Sequence, residues 1–215
     1  MKIAVIGTGN VGSALGGSLA RAGHDVTFAA RDAAKSARVA EIAGATAVDD
    51  PVEAARTADI VVHAVSYAAV VDIADELAPV VEGKVVVDPT NPLTPDYSGL
   101  ATAGGPSGAE RLADRLPGAN VVKAFNTLFA SVQGDPQALG TQVDALIAAD
   151  DAQAAESVEA LASSIGFRPV NVGPLAAARE LEALAFLNIR LQMLTNGSWQ
   201  TSVVLVNAPE AALAA

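Results

Sequence analysis

A glycine-rich hexapeptide near the N-terminus is the first group of residues whose spacing indicates chemistry. The pattern G-x-G-x-x-G covers Gly7, Thr8, Gly9, Asn10, Val11 and Gly12. In such a turn the first glycine permits a tight bend, the second lets the backbone approach a pyrophosphate, and the third lets a helix pack closely on a strand. An apolar run precedes the pattern and helical spacing follows it, so the free N–H groups of the helix start would face the phosphates. The hexapeptide therefore predicts a dinucleotide-binding turn.

The residues after the second predicted strand indicate which of the two nicotinamide dinucleotides, NAD or NADP, the protein binds. An acidic side chain at this position binds the ribose 2′-hydroxyl of NAD. Ala30 and Arg31 stand there instead, and a guanidinium binds a phosphate through two parallel hydrogen bonds. Lys35, one turn into the next helix, can assist. We therefore expect NADP(H). The alternative is that Arg31 is solvated and that the neighbouring Asp32 binds NAD.

Polar side chains also follow the later predicted strands. These positions are Ser66 and Tyr67 after the fourth strand, Asn91 and Pro92 after the fifth, and Ala124, Asn126 and Thr127 at the end of the sixth. The carboxyl ends of parallel strands form one crevice, so we predict that all of them contribute to cofactor binding. Asn91, Asn126 and Thr127 are expected to orient the nicotinamide. Each asparagine also fits a turn-forming or capping role, and both interpretations stay open.

No constellation of side chains predicts a general acid, a general base or a metal site. His24 is expected in a surface turn, and His63 is expected as a satisfied core residue of the fourth strand. Lys123 ends a strand and faces the neighbourhood of the cofactor at best. We therefore assign no catalytic residue. A carbonyl or imine needs a positioned proton donor, whereas two flat rings held in contact can exchange a hydride by positioning alone. The sequence favours the second reaction.

Short apolar runs alternate with helical periodicity along the chain. The predicted strands are Ile3–Ile6, Val26–Ala30, Ala45–Val48, Ile60–Val65, Val85–Val87, Val121–Phe125, Val143–Ala148 and Pro169–Val172. This alternation predicts an α/β protein, a Rossmann-type doubly wound parallel sheet with a small C-terminal α/β lobe. We place the boundary so that residues 1–144 form the NADP-binding domain. Residues 145–215 form the lobe, with the acceptor site and the dimer contacts.

The predicted lobe contains the longest helix of the chain, Ala176–Leu194. Its composition is largely apolar, so it must pack on the sheet or on a second subunit. The run Val203–Val206 is expected to add an exchanged strand. Both features predict a homodimer.

Composition excludes several classes of function. The 215 residues include 13 Lys+Arg and 24 Asp+Glu, a formal net charge of −11, and no cysteine. Such an acidic chain cannot neutralise a run of nucleic-acid phosphates, and disulfide or thiolate chemistry is excluded. No apolar run approaches the roughly 20 residues that span a bilayer, and the N-terminus lacks a secretory signal. We therefore expect a cytoplasmic protein without a nucleic-acid or membrane partner.

Further motifs resemble those of the coenzyme F420-dependent NADP oxidoreductases and of the reductase domains of the six-transmembrane STEAP metalloreductases. In chain order they are Gly7–Gly12, Ala30-Arg31, Asn91-Pro92, Val122–Asn126, Gly166–Pro169, Gly173–Leu175 and Ala178-Arg179. The resemblance implies a Rossmann domain that binds NADPH in the crevice, a homodimer, and a flavin-like ring that stacks on the nicotinamide and exchanges a hydride with it. Coenzyme F420, FMN and FAD are the candidate acceptors.

One departure from the family pattern bears on the acceptor. The archaeal F420 enzymes carry a histidine in the segment that corresponds to Phe125–Thr127, where this chain has the STEAP-like sequence Lys-Ala-Phe-Asn. The STEAP proteins also use a membrane haem domain, which we do not expect here. Two alternatives therefore stay open: an NADPH-dependent reductase of a small carbonyl or imine, and a non-catalytic NADPH-sensing dimer.

Overall fold

A computed structural model describes residues 1–207, in which strands and helices alternate for most of the chain. The strands are β1 (Lys2–Ile6), β2 (Asp25–Ala29), β3 (Thr46–Val48), β4 (Ile60–His63), β5 (Val85–Asp88), β6 (Asn120–Ala124), β7 (Asp144–Ala149) and β8 (Arg168–Asn171). The helices are α1 (Asn10–Arg21), α2 (Ala33–Ala43), α3 (Pro51–Thr57), α4 (Val70–Leu77), α5 (Gly108–Arg115), α6 (Ala130–Gly134), α7 (Ala152–Ser164) and α8 (Ala178–Thr195). Short 3-10 turns cover Tyr67–Ala69, Ala78–Val80 and Leu175–Ala177.

All the strands of residues 1–207 belong to one sheet with the order β3-β2-β1-β4-β5-β6-β7-β8. The first six strands are mutually parallel. The chain leaves β1 toward β2 on one side and reaches β4 on the other, which creates a crevice at the carboxyl ends of these strands. The predicted Rossmann-type α/β class is confirmed.

The seventh strand departs from the predicted parallel arrangement. β7 pairs antiparallel with β6, and β8 is parallel to β7. The connection between β6 and β7 contains only the short helix α6, which packs on α1. Because this connection does not cross the sheet, β7 begins at the edge where β6 ends and must run in the opposite direction.

The C-terminal part of the chain continues this same sheet. The predicted boundary at residue 144 coincides with the start of β7, and the division into two domains stays a prediction, with residues 208–215 outside the described part. The predicted strand Val203–Val206 is irregular within this chain. Instead, the Asp144 carboxylate accepts the Leu205 N–H at 2.7 Å and Arg168 donates to the Leu205 carbonyl at 2.6 Å. The segment after α8 therefore returns along the carboxyl edge of the sheet.

Two helical layers cover the sheet, and apolar side chains fill the space on both faces. Helices α1, α2, α6 and α7 pack on one face, with Leu15 and Val158 in that core. Helices α3, α4 and α5 cover the other face, where Leu77 and Leu112 are buried. Leu181 of α8 packs on β7 and β8. Central strands buried on both faces explain the nearly continuous apolar runs of the sequence.

Candidate cofactor-binding site

The glycine turn between β1 and α1 has the geometry that the sequence predicts. Gly7 has a φ of +108°, and its N–H donates to the Ala29 carbonyl at 2.8 Å. A Cβ atom on Gly7 would collide with the Ala64 carbonyl oxygen, and one on Gly12 would collide with the Gly7 carbonyl oxygen. These two glycines are therefore required by the close approach of α1, β1 and the segment after β4.

Gly9 faces the opposite way, toward an open groove. A Cβ atom built on Gly9 meets no other atom within 4 Å, and its φ of −73° is ordinary. The first turn of α1 has no side-chain cap, so its N–H groups stay available to an anion. The exposed Asn10 and half-buried Val11 continue this surface, while Thr8 is buried beneath it. The turn therefore fits a pyrophosphate by its shape as well as by its sequence.

A cavity of about 380 Å³ lies between this turn and the loop after β2. Arg31, Asp32 and Lys35 line it, with Ala30 at its inner wall. Within residues 1–207 the Arg31 guanidinium forms no ion pair. The Asp32 carboxylate instead accepts the Lys35 N–H at 2.9 Å and caps α2. This cap gives Asp32 a structural role and leaves the two cations facing the cavity.

A second cavity of about 410 Å³ continues the groove across the ends of β4 and β5. Ser66 and Val65 line both cavities, so the two form one path along the carboxyl edge of the sheet. Tyr67, Asn91 and Tyr97 line the second cavity. No carboxylate, imidazole or amine belongs to its lining among the described residues, so a proton transferred there would have to come from water or from a hydroxyl group.

The loop that carries Tyr97 is shaped by local hydrogen bonds. The Asp96 carboxylate accepts from the Thr94 hydroxyl at 2.7 Å and from the Ser98 hydroxyl at 2.8 Å. These bonds favour the anion and lower the pKa of Asp96 to about 2. Tyr97 has a φ of +58° and is 54% exposed. Because such a backbone is strained for a bulky residue, this rim presents an aromatic ring at a local energetic cost.

Asn91 and Asn126 bind each other across the ends of β5 and β6. The Asn91 Nδ2 donates to the Asn126 carbonyl at 2.9 Å, and the Asn126 Nδ2 donates to the Asn91 Oδ1 at 2.9 Å. A second bond from the Asn126 amide reaches the Leu181 carbonyl at 3.1 Å. The buried Asn126 Oδ1 accepts no hydrogen bond among the described residues. Asn91 reaches the cavity, whereas Asn126 lies behind it.

Three other predicted site residues also lie away from the cavity linings. Pro92 is buried, and its ring would lie 3.6 Å from a Cβ atom built on Gly108. Ala124 belongs to the core cluster on the α1 face. Thr127 is buried beside Asn126 at the end of β6. A role for these three in holding a cofactor stays a prediction. Among the predicted residues that follow β5 and β6, Asn91 is the one that lines the second cavity.

Lys123 points into the protein, which corrects the expectation that it faces the neighbourhood of the cofactor. It is fully buried, and its Nζ donates to Asp88 Oδ2 at 3.0 Å, to the Thr90 carbonyl at 2.6 Å and to Glu182 Oε1 at 3.0 Å. The sequence reasoning missed Asp88 and Glu182. The available signals were a lone lysine in an apolar strand and an acid in a largely apolar helix.

The two histidines lie outside both cavities. His63 is fully buried on β4, and neither ring nitrogen has a hydrogen-bond partner among residues 1–207, so the expectation of a satisfied histidine is wrong. Burial lowers the pKa of His63, and the neighbouring Asp88 carboxylate opposes that shift. His24 is half-buried and lies 2.8 Å from the Ser164 hydroxyl. Neither side chain is positioned to act on a ligand in the groove.

A third cavity of about 780 Å³ lies on the other side of the glycine turn. Val11 and Lys35 line it from the turn and α2, and Phe129 and Trp199 close it from the far side. The two aromatic rings meet edge to face with centroids 5.2 Å apart. Trp199 has a φ of +58° and binds Ser131 and Gln192 through its backbone. The chain segment after α8 therefore supplies one wall of this cavity.

Neither a metal-binding cluster nor a membrane-spanning helix occurs among the residues that the structure describes. Within residues 1–207 no group of three or more His, Asp or Glu side chains is arranged to hold a metal ion. In the same residues no helix combines the length and the apolar character that crossing a membrane requires. What the groove offers is a glycine turn with an uncapped helix start, two adjacent cations, and a mainly uncharged pocket at its other end.

The fold and this groove define a Rossmann-type nucleotide-binding protein, and comparison with known proteins identifies the family. Residues 2–92 match the family described as NADP oxidoreductase, coenzyme F420-dependent. The F420-dependent NADP reductase of Methanothermobacter marburgensis is 34% identical over 98% of this chain and 100% of its own length. This chain therefore belongs to the coenzyme F420-dependent NADP oxidoreductase family, as its motifs predicted.

Two further relatives support the family assignment, and one of them is much longer than this chain. A crystal structure described as a putative F420-dependent NADP reductase from Arthrobacter sp. FB24 superposes with a TM-score of 0.87, at 29% identity over 96% of this chain and all of that one. The metalloreductase STEAP3 of Rattus norvegicus is 31% identical over 85% of this chain. The chain spans only 36% of that relative's length.

Proposed function

We propose that this protein transfers a hydride between NADP(H) and the flat ring of coenzyme F420 or a flavin. The observation that carries the proposal is the pairing of a phosphate cradle with a second cavity that contains no carboxylate, imidazole or amine. Reduction of a carbonyl or imine normally uses a proton donor beside the hydride acceptor. Transfer between two rings depends mainly on distance and orientation, which a rigid groove can supply.

NADP(H) would lie along the two connected cavities. The N–H groups at the start of α1 would bind the pyrophosphate, with the open face of Gly9 allowing close approach. Arg31 and Lys35 would bind the 2′-phosphate at one end. At the other end Asn91, fixed by Asn126, would orient the nicotinamide carboxamide. When bound, the dinucleotide supplies the hydride at its nicotinamide ring.

The acceptor ring would stack on the exposed face of the nicotinamide. NADPH, one proton and the oxidised acceptor would yield NADP+ and the reduced acceptor, with the hydride forming the new bond on the acceptor ring and the proton reaching a ring nitrogen from water. The candidates to contact the acceptor ring are Tyr67 and Tyr97, which line the second cavity, and Phe129 and Trp199, which line the adjoining third cavity. The name of the Methanothermobacter relative supports coenzyme F420 as the acceptor.

The proposal is tested by following NADPH oxidation with coenzyme F420, FMN, FAD, ferric chelates, and small carbonyls or imines. We expect turnover with coenzyme F420 or a flavin and none with carbonyls or imines. Trp199 is the single tryptophan of the chain, so quenching of its fluorescence reports binding beside the third cavity. Turnover confined to a carbonyl or imine would refute the proposal, and NADPH binding without turnover of any acceptor would favour an NADPH sensor.

We also propose that α8 forms the contact of a homodimer. Leu187, Leu191 and Leu194 are 64%, 52% and 79% exposed, and their three- and four-residue spacing places them on one face of the helix. An apolar stripe of this kind is typical of helix–helix association. The 18-residue helix is long enough for two copies to pack along it.

The dimer predicts a specific loss of association in one variant. Leu191→Glu should convert the dimer to a monomer, because two carboxylates would be buried against apolar surface at the contact. Ile42→Glu is the matched control, since Ile42 on α2 is 82% exposed and lies away from α8. Light scattering at micromolar concentration measures the mass of each. A monomeric unaltered protein, or a variant that stays dimeric, would contradict the proposal.

A further inference from the structure

Lys123 closes a ring of contacts that joins β5, β6 and α8. Its Nζ binds Glu182 on α8 and the Thr90 carbonyl just after β5, at 3.0 and 2.6 Å. Thr90 precedes Asn91, which binds Asn126, and Asn126 binds the carbonyl of Leu181, the residue before Glu182. The other steps are hydrogen bonds between buried or half-buried groups, while the peptide chain joins Thr90 to Asn91 and Leu181 to Glu182. The ring therefore fixes three separate elements relative to one another.

Two adjacent members of this ring, Thr90 and Asn91, line the groove. Asn91 lines the second cavity, while Lys123 and Glu182 are each no more than 1% exposed. Of the three lysine contacts that leave β6, one holds Asp88 at the end of β5, one holds the backbone immediately before Asn91, and one holds α8 next to its contact with Asn126. A change at Lys123 would therefore act on the second cavity from two directions and would leave the Arg31 end of the groove untouched.

We propose that Lys123 is a positioning residue that sets the orientation of Asn91, and with it the nicotinamide end of the groove, through the Thr90 carbonyl and through Glu182. The inference rests on the proposed function, because it assigns the nicotinamide to the second cavity. Lys123 touches neither cofactor nor acceptor. Its effect reaches the cavity through the backbone at Thr90 and through the Asn91–Asn126 pair.

The charge balance explains why this position requires a cation. One ammonium group lies 3.0 Å from each of two buried carboxylates, Asp88 and Glu182. The remaining carboxylate oxygens accept backbone N–H groups, Asp88 Oδ1 from Thr90 at 2.9 Å and Glu182 Oε2 from Gly108 at 3.1 Å. Without the ammonium group, two carboxylates would face each other in a dry environment. They would then move apart or share a proton.

The test compares two ligands that differ only in the nicotinamide. In Lys123→Met, binding of 2′-phospho-ADP-ribose, measured by calorimetry, should stay within about twofold of the unaltered protein, because that ligand would use only the glycine turn, Arg31 and Lys35. NADPH affinity should fall about 10-fold. Hydride transfer in a single turnover should fall about 100-fold, as expected when a reacting ring is displaced by about 1 Å.

Lys84→Met is the matched control. The Lys84 Nζ also donates to three oxygen atoms, the carbonyls of Ala55, Arg56 and Ala58 at 2.7–2.9 Å. It lies just before β5, at the edge of the sheet opposite the groove. This variant should lower thermal stability and leave the ratio of the two affinities unchanged.

A second readout separates positioning by charge from simple loss of packing. In Lys123→Met the Asp88 and Glu182 carboxylates should repel each other, so removing one of the two charges should restore part of the NADPH affinity. The double variant Lys123→Met/Glu182→Gln should therefore bind NADPH more tightly than Lys123→Met, whereas a simple loss of packing would leave its affinity no higher.

Each outcome bears on the inference. An equal loss of affinity for both ligands in Lys123→Met, or the absence of any loss, would overturn it, and so would a double variant that binds NADPH no more tightly than Lys123→Met. If Lys123→Met does not fold, the double variant provides the same comparison of the two ligands. NADPH binding without turnover of any acceptor would defeat the proposed function alone, since this inference is judged by the affinities of the two ligands.

Discussion

Gly9→Val is expected to abolish dinucleotide binding while leaving the protein folded. A Cβ atom at Gly9 meets no protein atom within 4 Å, and the backbone there is compatible with any residue. The valine side chain would instead occupy the space in which the pyrophosphate approaches the turn. We expect NADPH affinity to fall at least about 100-fold, or ~2.7 kcal/mol. Calorimetric titration measures the affinity, and thermal unfolding checks the fold.

Two other glycines show whether this effect is specific to the groove. Gly105 has an ordinary φ, and a Cβ atom there would make only van der Waals contacts away from the two connected cavities, so Gly105→Val should bind NADPH normally. Gly12→Val should fail to fold, because its Cβ would collide with the Gly7 carbonyl oxygen. Retained NADPH binding in Gly9→Val would mean that the phosphates bind elsewhere.

Arg31→Glu is expected to lower NADPH affinity strongly and NADH affinity little. The Arg31 guanidinium forms no ion pair within residues 1–207 and lines the first cavity beside Lys35. A charge-assisted hydrogen bond to a phosphate contributes about 1.5–3 kcal/mol, so we expect NADPH binding to weaken by about 10- to 150-fold. Repulsion between the new carboxylate and the 2′-phosphate adds to that loss.

A variant of a second arginine is the control for the change in net charge. Arg56→Glu changes the net charge equally, and Arg56 is an exposed residue of α3 paired with Glu53 at 3.6 Å. That variant should keep the preference of the unaltered protein for NADPH over NADH. If the unaltered protein bound NADPH and NADH with equal affinity, Arg31 would not bind the 2′-phosphate. Asp32 would then be the candidate ligand of a ribose hydroxyl.

Several features of this protein follow from short stretches of sequence. Gly7–Gly12 lies between an apolar strand and an amphipathic helix, and all the atoms that define the turn, apart from the neighbouring Ala29 and Ala64, belong to consecutive residues. The six parallel strands also have local signals, since each apolar run is short and bounded by turn residues. Right-handed crossovers then leave few possible sheet orders. For these reasons the Rossmann-type class and the position of the groove were predictable.

The sequence did not reveal how the predicted residues after β5 and β6 lie relative to the second cavity, because their partners are far away along the chain. Asn91 and Asn126 are 35 residues apart, and Lys123 and Glu182 are 59 apart. A pattern read along the chain indicates that an asparagine follows a strand, but it does not indicate which group that asparagine will meet. The structure therefore placed Asn91 at the cavity and Asn126, Pro92, Ala124 and Thr127 behind it.

The tertiary structure alone decided the direction of β7 and the surroundings of the buried polar groups. An apolar strand pattern is the same for parallel and antiparallel pairing, so the reversal at β7 depends on where α6 packs on α1. His63 and Lys123 interrupt apolar strands in the same way, yet one has no hydrogen-bond partner among the described residues and the other has three. The sequence determines which side chains must be buried, because burial follows from hydrophobic periodicity. Which partner each polar group finds depends on how distant segments meet in the folded chain, and only the packed structure contains that information.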